Sequence, residues 1–469
     1  MMSTRVLLVV PNSKCDVRES LGFLPPPLGL GYIAGYIQKY GNHEVKIQDS
    51  LREGTSEDGF LRVLESFSPE VVGISGQATP AIYDVYAVAR VIKEYDPGTL
   101  VIVGGAHVTF EDTRVLNDCP EIDIVVRGEG EATMNELVTA RENEHSVADV
   151  RGITYRKGPE TVRNPDMPYI QPLDSLPLPA YDLLNLRKYF SGGVSWTSMI
   201  TSRGCPYQCV FCSSSRIVGK RWRGRSPDNV MKEVQLLEEK FGVREIEFLD
   251  DLFTFDKSRV KEMCKLFRNV GVSSGWTCST RADIMARYTE MAGWLKAAGC
   301  HTVYLGAESG SQRVLNMMNK GIRISDIVKS VRTLKENGLD VILSFIIGLP
   351  SETREEIKTT IDFACRLDPT LAQFTVCTPF PGTPLYEEAI KNGWLSSGDW
   401  TRYSVLDPVM HLPNLQKKEI KSYLHVAYLR FYTRLGFLWR QVKTGNLCIF
   451  RLMAQNLIRY LKGGRLSTK

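Results

Sequence analysis

Cys205-Pro-Tyr-Gln-Cys209-Val-Phe-Cys212 gathers three thiols into one short loop. A 4Fe–4S cluster ordinarily takes four cysteine ligands. Three ligands hold three irons and leave the fourth open to a substrate or cofactor. A structural zinc would want four ligands, often as two C-x2-C knuckles. Neither a second knuckle nor a histidine pair lies nearby. The spacing points to an open iron site.

The loop follows Ser198 to Thr201, the first of six candidate strands. The others are Glu245 to Leu249, Gly275 to Thr280, Thr302 to Gly306, Val341 to Ile347 and Gln373 to Thr378, with helical stretches between them. This alternation predicts a partial (β/α)6 TIM barrel over residues 195–395. Function in such folds sits on the loops after the strands, where the cysteines lie. The later strand ends carry Asp250-Asp251, Arg281, Glu308, Gly348 and Pro379. Taken singly, each has a bland reading as a surface acid, a cap or a turn. An arginine at a strand end also suits a carboxylate ligand, because its planar fork binds bidentately.

Residues 1–145 alternate short apolar runs, such as Val6-Leu7-Leu8-Val9-Val10, with helical stretches. That pattern predicts an α/β, Rossmann-like (flavodoxin-like) doubly wound parallel sheet. Ligands bind such sheets beyond the carboxyl ends of the strands. Ser75-Gly76, Gly104-Gly105-Ala106-His107 and Gly128-Glu129 stand there, and small residues let a large ligand approach the backbone. Residues 146–194 are studded with prolines and read as a linker. A small α-helical region over 396–469 completes the chain.

The cysteine spacing, followed in order by Asp250, Arg281, Glu308, Gly348 and Pro379, resembles radical S-adenosylmethionine (SAM) enzymes over about 190 residues. The resemblance implies that Cys205, Cys209 and Cys212 hold the cluster and that SAM chelates the open iron. It places Asp250 and Asp251 at the SAM amino group, Arg281 at its carboxylate, and Glu308 at its ribose or methionine end. Gly348 and Pro379 would flank the adenine, and Phe211 is the aromatic residue before the third ligand. The first domain is similar to the cobalamin-binding domain of one radical SAM subclass. Pro25-Pro26-Pro27-Leu28-Gly29-Leu30, Gly104-Gly105, Arg127-Gly128-Glu129-Gly130-Glu131 and Leu176-Pro177-Leu178-Pro179-Ala180-Tyr181 carry that likeness. Ser75, Gly76, Gly104, Gly105, Gly128 and Glu129 are then the cofactor-binding candidates. The D-x-H-x-x-G motif of many cobalamin proteins is absent. The resemblance therefore implies base-off cobalamin without a histidine lower ligand, and His107 reads as a structural residue. A flavodoxin-like domain that has lost its cofactor is the competing reading.

The subclass implies reductive cleavage of SAM to a 5′-deoxyadenosyl radical, then methyl transfer from methylcobalamin to an unactivated carbon of a small molecule or lipid. Oxidation or cyclisation without methyl transfer, as in anaerobic porphyrin cyclases, is the alternative, and a non-catalytic sensor is a third. An external one-electron donor, flavodoxin or ferredoxin, is implied.

Eleven cysteines, mostly isolated, argue against a disulfide framework and for a reducing compartment. The first apolar run is too short for a signal peptide, so a cytoplasmic protein is expected. Twelve Lys/Arg and a single acid, Glu419, give residues 417–469 a charge of +11, against +5 for the whole chain. Ile420, Tyr423, Leu424, Ala427, Tyr428, Phe431 and Leu435 recur there at helical spacing, and Leu447 to Leu461 continues the pattern. The tail reads as a barrel-capping helical region. Peripheral contact with an anionic membrane is its second reading. No appended nucleic-acid motif is visible.

Overall fold

The structure, a computed structural model, describes residues 3–13, 24–41, 43–190 and 193–443. The first sheet contains β1 (Arg5–Val10), β2 (Glu44–Asp49), β3 (Val71–Ser75), β4 (Leu100–Gly104) and β5 (Ile124–Val126). They lie parallel in the order β2-β1-β3-β4-β5. Leu7 and Val9 of central β1 pack on one face, and Val6, Leu8 and Val10 on the other. Burial on both faces is why this strand is uninterruptedly apolar.

The linker reading of 146–194 needs correcting in part. Two short strands, β6 (Ile153–Lys157) and β7 (Glu160–Arg163), form a hairpin that extends the first sheet antiparallel beyond β5. The turn contains Gly158 at φ +61°. The signal was a pair of β-branched runs around Lys157-Gly158-Pro159, outweighed in the sequence by the prolines that follow. After the hairpin, the stretch through Leu184 packs on the helix Leu28–Tyr40. Gly35 faces the Leu178 carbonyl so closely that a Cβ would lie 2.5 Å from its oxygen. The Ala180 amide donates to the Gly31 carbonyl at 2.9 Å. The two proline-rich motifs thus form one joint.

The second sheet is the expected partial barrel. Its strands are β8 (Trp196–Met199), β11 (Glu245–Phe248), β12 (Gly275–Thr280), β13 (Cys300–Glu308), β14 (Asp340–Ile347) and β15 (Leu371–Val376). They run parallel in that order. A two-stranded ribbon, β9 (Ser202–Arg203) with β10 (Arg223–Gly224), brackets the cysteine loop. Alternation along the strands separates two faces. Phe248 and Trp276 meet Phe267 of the helix Lys257–Val270 on the outside. Glu247, Thr277, Ser279 and Tyr304 fall on the inner face.

The helix Lys417–Tyr432 covers the free edge of β15. The Tyr428 hydroxyl donates to the Phe374 carbonyl at 2.9 Å and accepts from its amide at 3.3 Å; Tyr432 does the same for Ala372 at 2.8 and 3.3 Å. Ile420, Leu424, Ala427 and Phe431 are buried. Most of the stripe is thus spent on an open sheet edge, whose unpaired backbone groups need partners, as the barrel-capping reading expects; Leu435 is exposed. Part of the basic charge is paired as well, Arg430 with Asp362 and Lys421 with Asp407, each at 2.7 Å. No helix of the described residues is long and apolar enough to cross a membrane. The expected helix Leu447 to Leu461 lies outside the described residues.

Replacing Tyr428 and Tyr432 together by Phe should cost about 2 kcal/mol, near 1 kcal/mol for each lost pair of edge contacts. Urea unfolding monitored by far-UV circular dichroism measures this, and an unchanged midpoint would refute the edge-capping role.

Candidate active site

Gly204 opens the cysteine loop at φ +92°, where a Cβ would stand 2.2 Å from the Arg221 carbonyl oxygen. Only glycine fits this turn. The Cys205 amide donates to the Gly219 carbonyl at 3.1 Å, Val210 to Met318 at 3.0 Å, and Leu385 to Val210 at 3.0 Å. Asn319 Nδ2 holds the Gln208 carbonyl at 2.9 Å. Tyr207, between the first two cysteines, lies under the Arg281 guanidinium at 3.4 Å from its ring centroid. Such a contact adds cation–π attraction to packing.

Burial pushes the Cys205 thiol up, and the Cys212 thiol up to about 11, with the neighbouring cysteines and Asp251 adding to both effects. The three sulfurs are therefore close enough to feel one another. Yet no three ligating side chains among the described residues converge as a single ion would need. Three thiols in one loop suit a cluster, in which each binds a different iron.

Asp250 is placed otherwise than expected. Its Oδ1 accepts the Thr201 amide at 2.6 Å, and its Oδ2 accepts the Thr201 and Ser202 hydroxyls at 2.5 and 2.7 Å. The fully engaged carboxylate fixes the entrance to the cysteine loop. Asp251 is exposed and accepts a hydrogen bond from Ser214 just past Cys212. Loss of water around its carboxyl, with the charge of Asp250 adding to it, raises that carboxyl above the usual range although Ser214 pulls the other way. Arg281 is buried, donating through Nε to Asp283 at 3.0 Å and through Nη2 to the Lys320 carbonyl at 2.6 Å. Lys320 in turn pairs with Glu308 at 2.6 Å and sits 5.8 Å from the Phe211 ring centroid. Lys320 carried no sequence signal of its own. It follows a helix, not a strand, and only the fold brings it to Glu308.

Gly348 lies at φ +83° against Ile420. Its amide and that of Leu349 donate to Glu352 Oε2 at 2.7 and 3.1 Å. Glu352 is fully buried, and its Oε1 has no partner. Burial raises its carboxyl to about 7, although the two amides pull the other way. Pro379 is buried at the end of β15, and the following turn at Gly382 meets the first domain, with a Cβ position 2.3 Å from the Phe110 ring.

Glu129 also differs from its expected role. Its Oε1 accepts Arg203 Nη1 at 3.0 Å and Arg223 Nη2 at 2.9 Å; its Oε2 accepts Arg223 Nη1 at 3.1 Å and the Ile170 amide at 2.8 Å. Glu131 takes the other end of Arg203 at 2.5 Å. Burial alone would raise the Glu129 carboxyl, but Arg223 and Arg203 outweigh it and hold it below the ordinary range. Arg203 and Arg223 belong to the ribbon around the cysteine loop, so the motif from Arg127 to Glu131 clamps the two domains. Arg127 itself anchors the β6–β7 hairpin through Ile153, Thr154 and Asn164. The sequence signal for the clamp was a pair of acids facing a pair of arginines, separated by more than 70 residues.

The clamp turns the carboxyl ends of the first sheet toward the cysteine loop. At Gly104 and Gly128 an added Cβ would meet its nearest atoms only in ordinary van der Waals contact, at 3.8 Å. For Gly128 that atom is the carbonyl oxygen of Ile217, at the end of the cysteine loop's helix. Gly76 and Gly105 pack against Val108 and the Gln77 backbone, and the Ser75 side chain is half-buried beside them. Small residues at these strand ends let a large cofactor approach the backbone at Gly104 and Gly128. His107 is buried, hydrogen-bonded to Thr79 at 3.2 Å and packed edge-on against Trp400. Burial lowers its imidazole to about 4.

Glu129→Gln should cost about 3–5 kcal/mol, because it leaves buried guanidinium groups without their carboxylate. Glu131→Gln, which faces Arg203 alone, should cost less; equal losses in denaturant titrations would contradict the clamp. Glu352 gives a pH signature. Its folded value near 7 exceeds the unfolded 4.5, so the native state binds the extra proton. Stability should be greatest below pH 4.5 for this group and fall by about 3 kcal/mol as pH rises through 7. Glu352→Gln should flatten that slope, and a wild-type-like slope in the variant would exclude Glu352 as its source.

Residues 14–138 match the B12 binding domain and residues 199–364 the radical SAM superfamily. The chain is 40% identical over 455 residues to an uncharacterized methyltransferase of Pyrococcus horikoshii, covering 97% of this chain and 98% of that one. It is 31% identical over 442 residues to an anaerobic magnesium-protoporphyrin IX monomethyl ester cyclase of Rubrivivax gelatinosus, covering 92% and 78%. Its fold resembles the radical SAM methyltransferase TsrM of Kitasatospora setae, solved with cobalamin and a [4Fe-4S] cluster, at a TM-score of 0.72 and 21% identity, covering 83% and 78%. The chain belongs to the cobalamin-dependent radical SAM enzymes, whose cofactors are a 4Fe–4S cluster, SAM and cobalamin.

Proposed function

We propose that this enzyme transfers a methyl group to an unactivated carbon of a small molecule. The observation that carries the reading is the clamp of Glu129 with Arg203 and Arg223, which aims the glycine-lined ends of the first sheet at the cysteine loop. The 40% identity along almost the whole chain with an uncharacterized methyltransferase of Pyrococcus horikoshii favours methyl transfer. When bound, the cofactors supply the radical chemistry and the methyl group.

The chain's own residues then position and exclude. Cys205, Cys209 and Cys212 hold the cluster. Arg281, Glu308, Phe211, Asp251, Gly348 and Pro379 surround SAM, and Lys320 keeps the Glu308 carboxylate in place. Ser75, Gly76, Gly104, Gly105 and Gly128 cradle cobalamin. Asp250 and Glu129 act one step back, the first on the loop and the second on the domain joint. The cobalamin-binding unit spans 1–145 and is extended by the β6–β7 hairpin. The radical SAM barrel spans 195–395, and in the helical region that follows it the helix Lys417–Tyr432 closes its edge. An external flavodoxin or ferredoxin delivers the electron in a reducing, cytoplasmic setting.

Oxidation or cyclisation without methyl transfer is the second reading, favoured by the identity with the Rubrivivax cyclase. Anaerobically reconstituted enzyme, incubated with reductant, SAM and extracts of small metabolites, separates the two. Methyl transfer yields S-adenosylhomocysteine together with 5′-deoxyadenosine; deoxyadenosine alone would sink it. Cys209→Ala should reduce deoxyadenosine release at least 100-fold.

A further inference from the structure

A row of polar side chains on the inner face of the barrel has no role in the cysteine loop or the domain clamp. Ser198 of β8, Glu247 of β11 and Thr277 of β12 occupy matched register positions on adjacent strands, about 5 Å apart. Ser198 is fully buried, and neither its Oγ nor Thr277 Oγ1 has a hydrogen-bond partner. Glu247 is half-buried; burial raises its carboxyl, with no hydrogen bond or neighbouring charge acting against it. Tyr304 stands two residues nearer the rim than Thr302, which pairs with Thr277. The charge of Glu247 reaches its phenol.

Closed barrels fill this space with layers of Val, Ile and Leu. Native interiors rarely leave neighbouring polar groups unpartnered, and each instance asks for a cause. The half-buried carboxylate has no counter-charge, and partial desolvation of a lone charge favours a positive partner. Hydroxyls beside it can accept further hydrogen bonds, and an ammonium carries three donors and no acceptor. The row lies three residues below Asp250 along β11 and four below Arg281 along β12, hence about 10 Å beneath the rim. A ligand anchored there would extend its carbon chain toward the radical site.

We propose that Ser198, Glu247 and Thr277 form the substrate's anchoring subsite and bind an ammonium group, so that the substrate is a primary amine. The proposal rests on the radical SAM reading and names the substrate class for it. Thermal unfolding of the reconstituted full chain, under anaerobic conditions, tests it with butylammonium chloride and with butanol as the neutral counterpart. Millimolar butylammonium should raise the wild-type midpoint by about 2 °C, and butanol should not. Glu247→Gln should abolish the rise, and Ser198→Ala should weaken it, which keeps the comparison open if the first variant fails to fold. Thr277→Val, which removes an unpartnered hydroxyl, should raise the ligand-free midpoint by about 1 °C. No shift with butylammonium, equal shifts with both compounds, a shift that survives Glu247→Gln, or a lowered Thr277→Val midpoint would each overturn the subsite. Deoxyadenosine release by the same wild-type preparation tests the radical SAM reading separately.

Discussion

Glu129 sits between two guanidinium groups that come from strands on either side of the cysteine loop, and water is excluded from most of this contact. A buried carboxylate with four donors is a constraint before it is a source of stability. Desolvating three charged groups is costly, and the mutual attraction repays the cost only in one geometry. That geometry fixes where the first sheet stands relative to the barrel. Each arginine is held a second time, Arg203 by Glu131 and Arg223 by the carbonyls of Ile170 and Val218. The joint cannot rotate without leaving one of these groups unpaired.

The rest of the interface follows from that constraint. Tyr32 of the first domain lies in the barrel's apolar core, its hydroxyl 3.3 Å from the Ile200 carbonyl. Arg225 and Tyr181 converge on buried Glu233 from the barrel and the connecting stretch. Phe110 meets the turn at Gly382. Polar groups set the register of the two bodies and apolar side chains fill the space between. The cysteine loop is held by the same logic on a smaller scale, through Asp250 at its entrance and Tyr207 beneath Arg281. A loop that must present three thiols at fixed separations needs such support, because its own backbone forms almost no regular structure.

The tail shows how one periodic pattern serves two physical ends. An aromatic stripe on a basic helix suits a membrane interface, and it equally suits an open sheet edge that needs hydroxyl partners for its amides and carbonyls. Sequence periodicity cannot separate these, because both surfaces select the same spacing of apolar and amphipathic side chains. The edge of β15 decides between them for Tyr428 and Tyr432.

Much of the fold was legible in the sequence. Apolar runs separated by helical stretches marked eleven parallel strands within a few residues, because strands of the first sheet are buried on both faces and those of the barrel on their outer face. The three cysteines were legible because metal ligation constrains spacing along a loop. The hairpin at Ile153 to Arg163 was hidden by the prolines after it. The roles of Asp250 and Glu129 were hidden for a different reason. A carboxylate near a strand end reads the same whether it faces a ligand, a loop backbone or a pair of arginines. Which of these it meets depends on groups distant in the chain, as Thr201 is from Asp250 and Arg203 from Glu129. The sequence by itself determined the elements, their order and the chemistry of the cysteine loop, since those rest on local periodicity and spacing. Only the tertiary structure decided which charges pair, which polar groups stand unpartnered inside the barrel, and how the two domains face each other, because long-range contacts leave no local pattern.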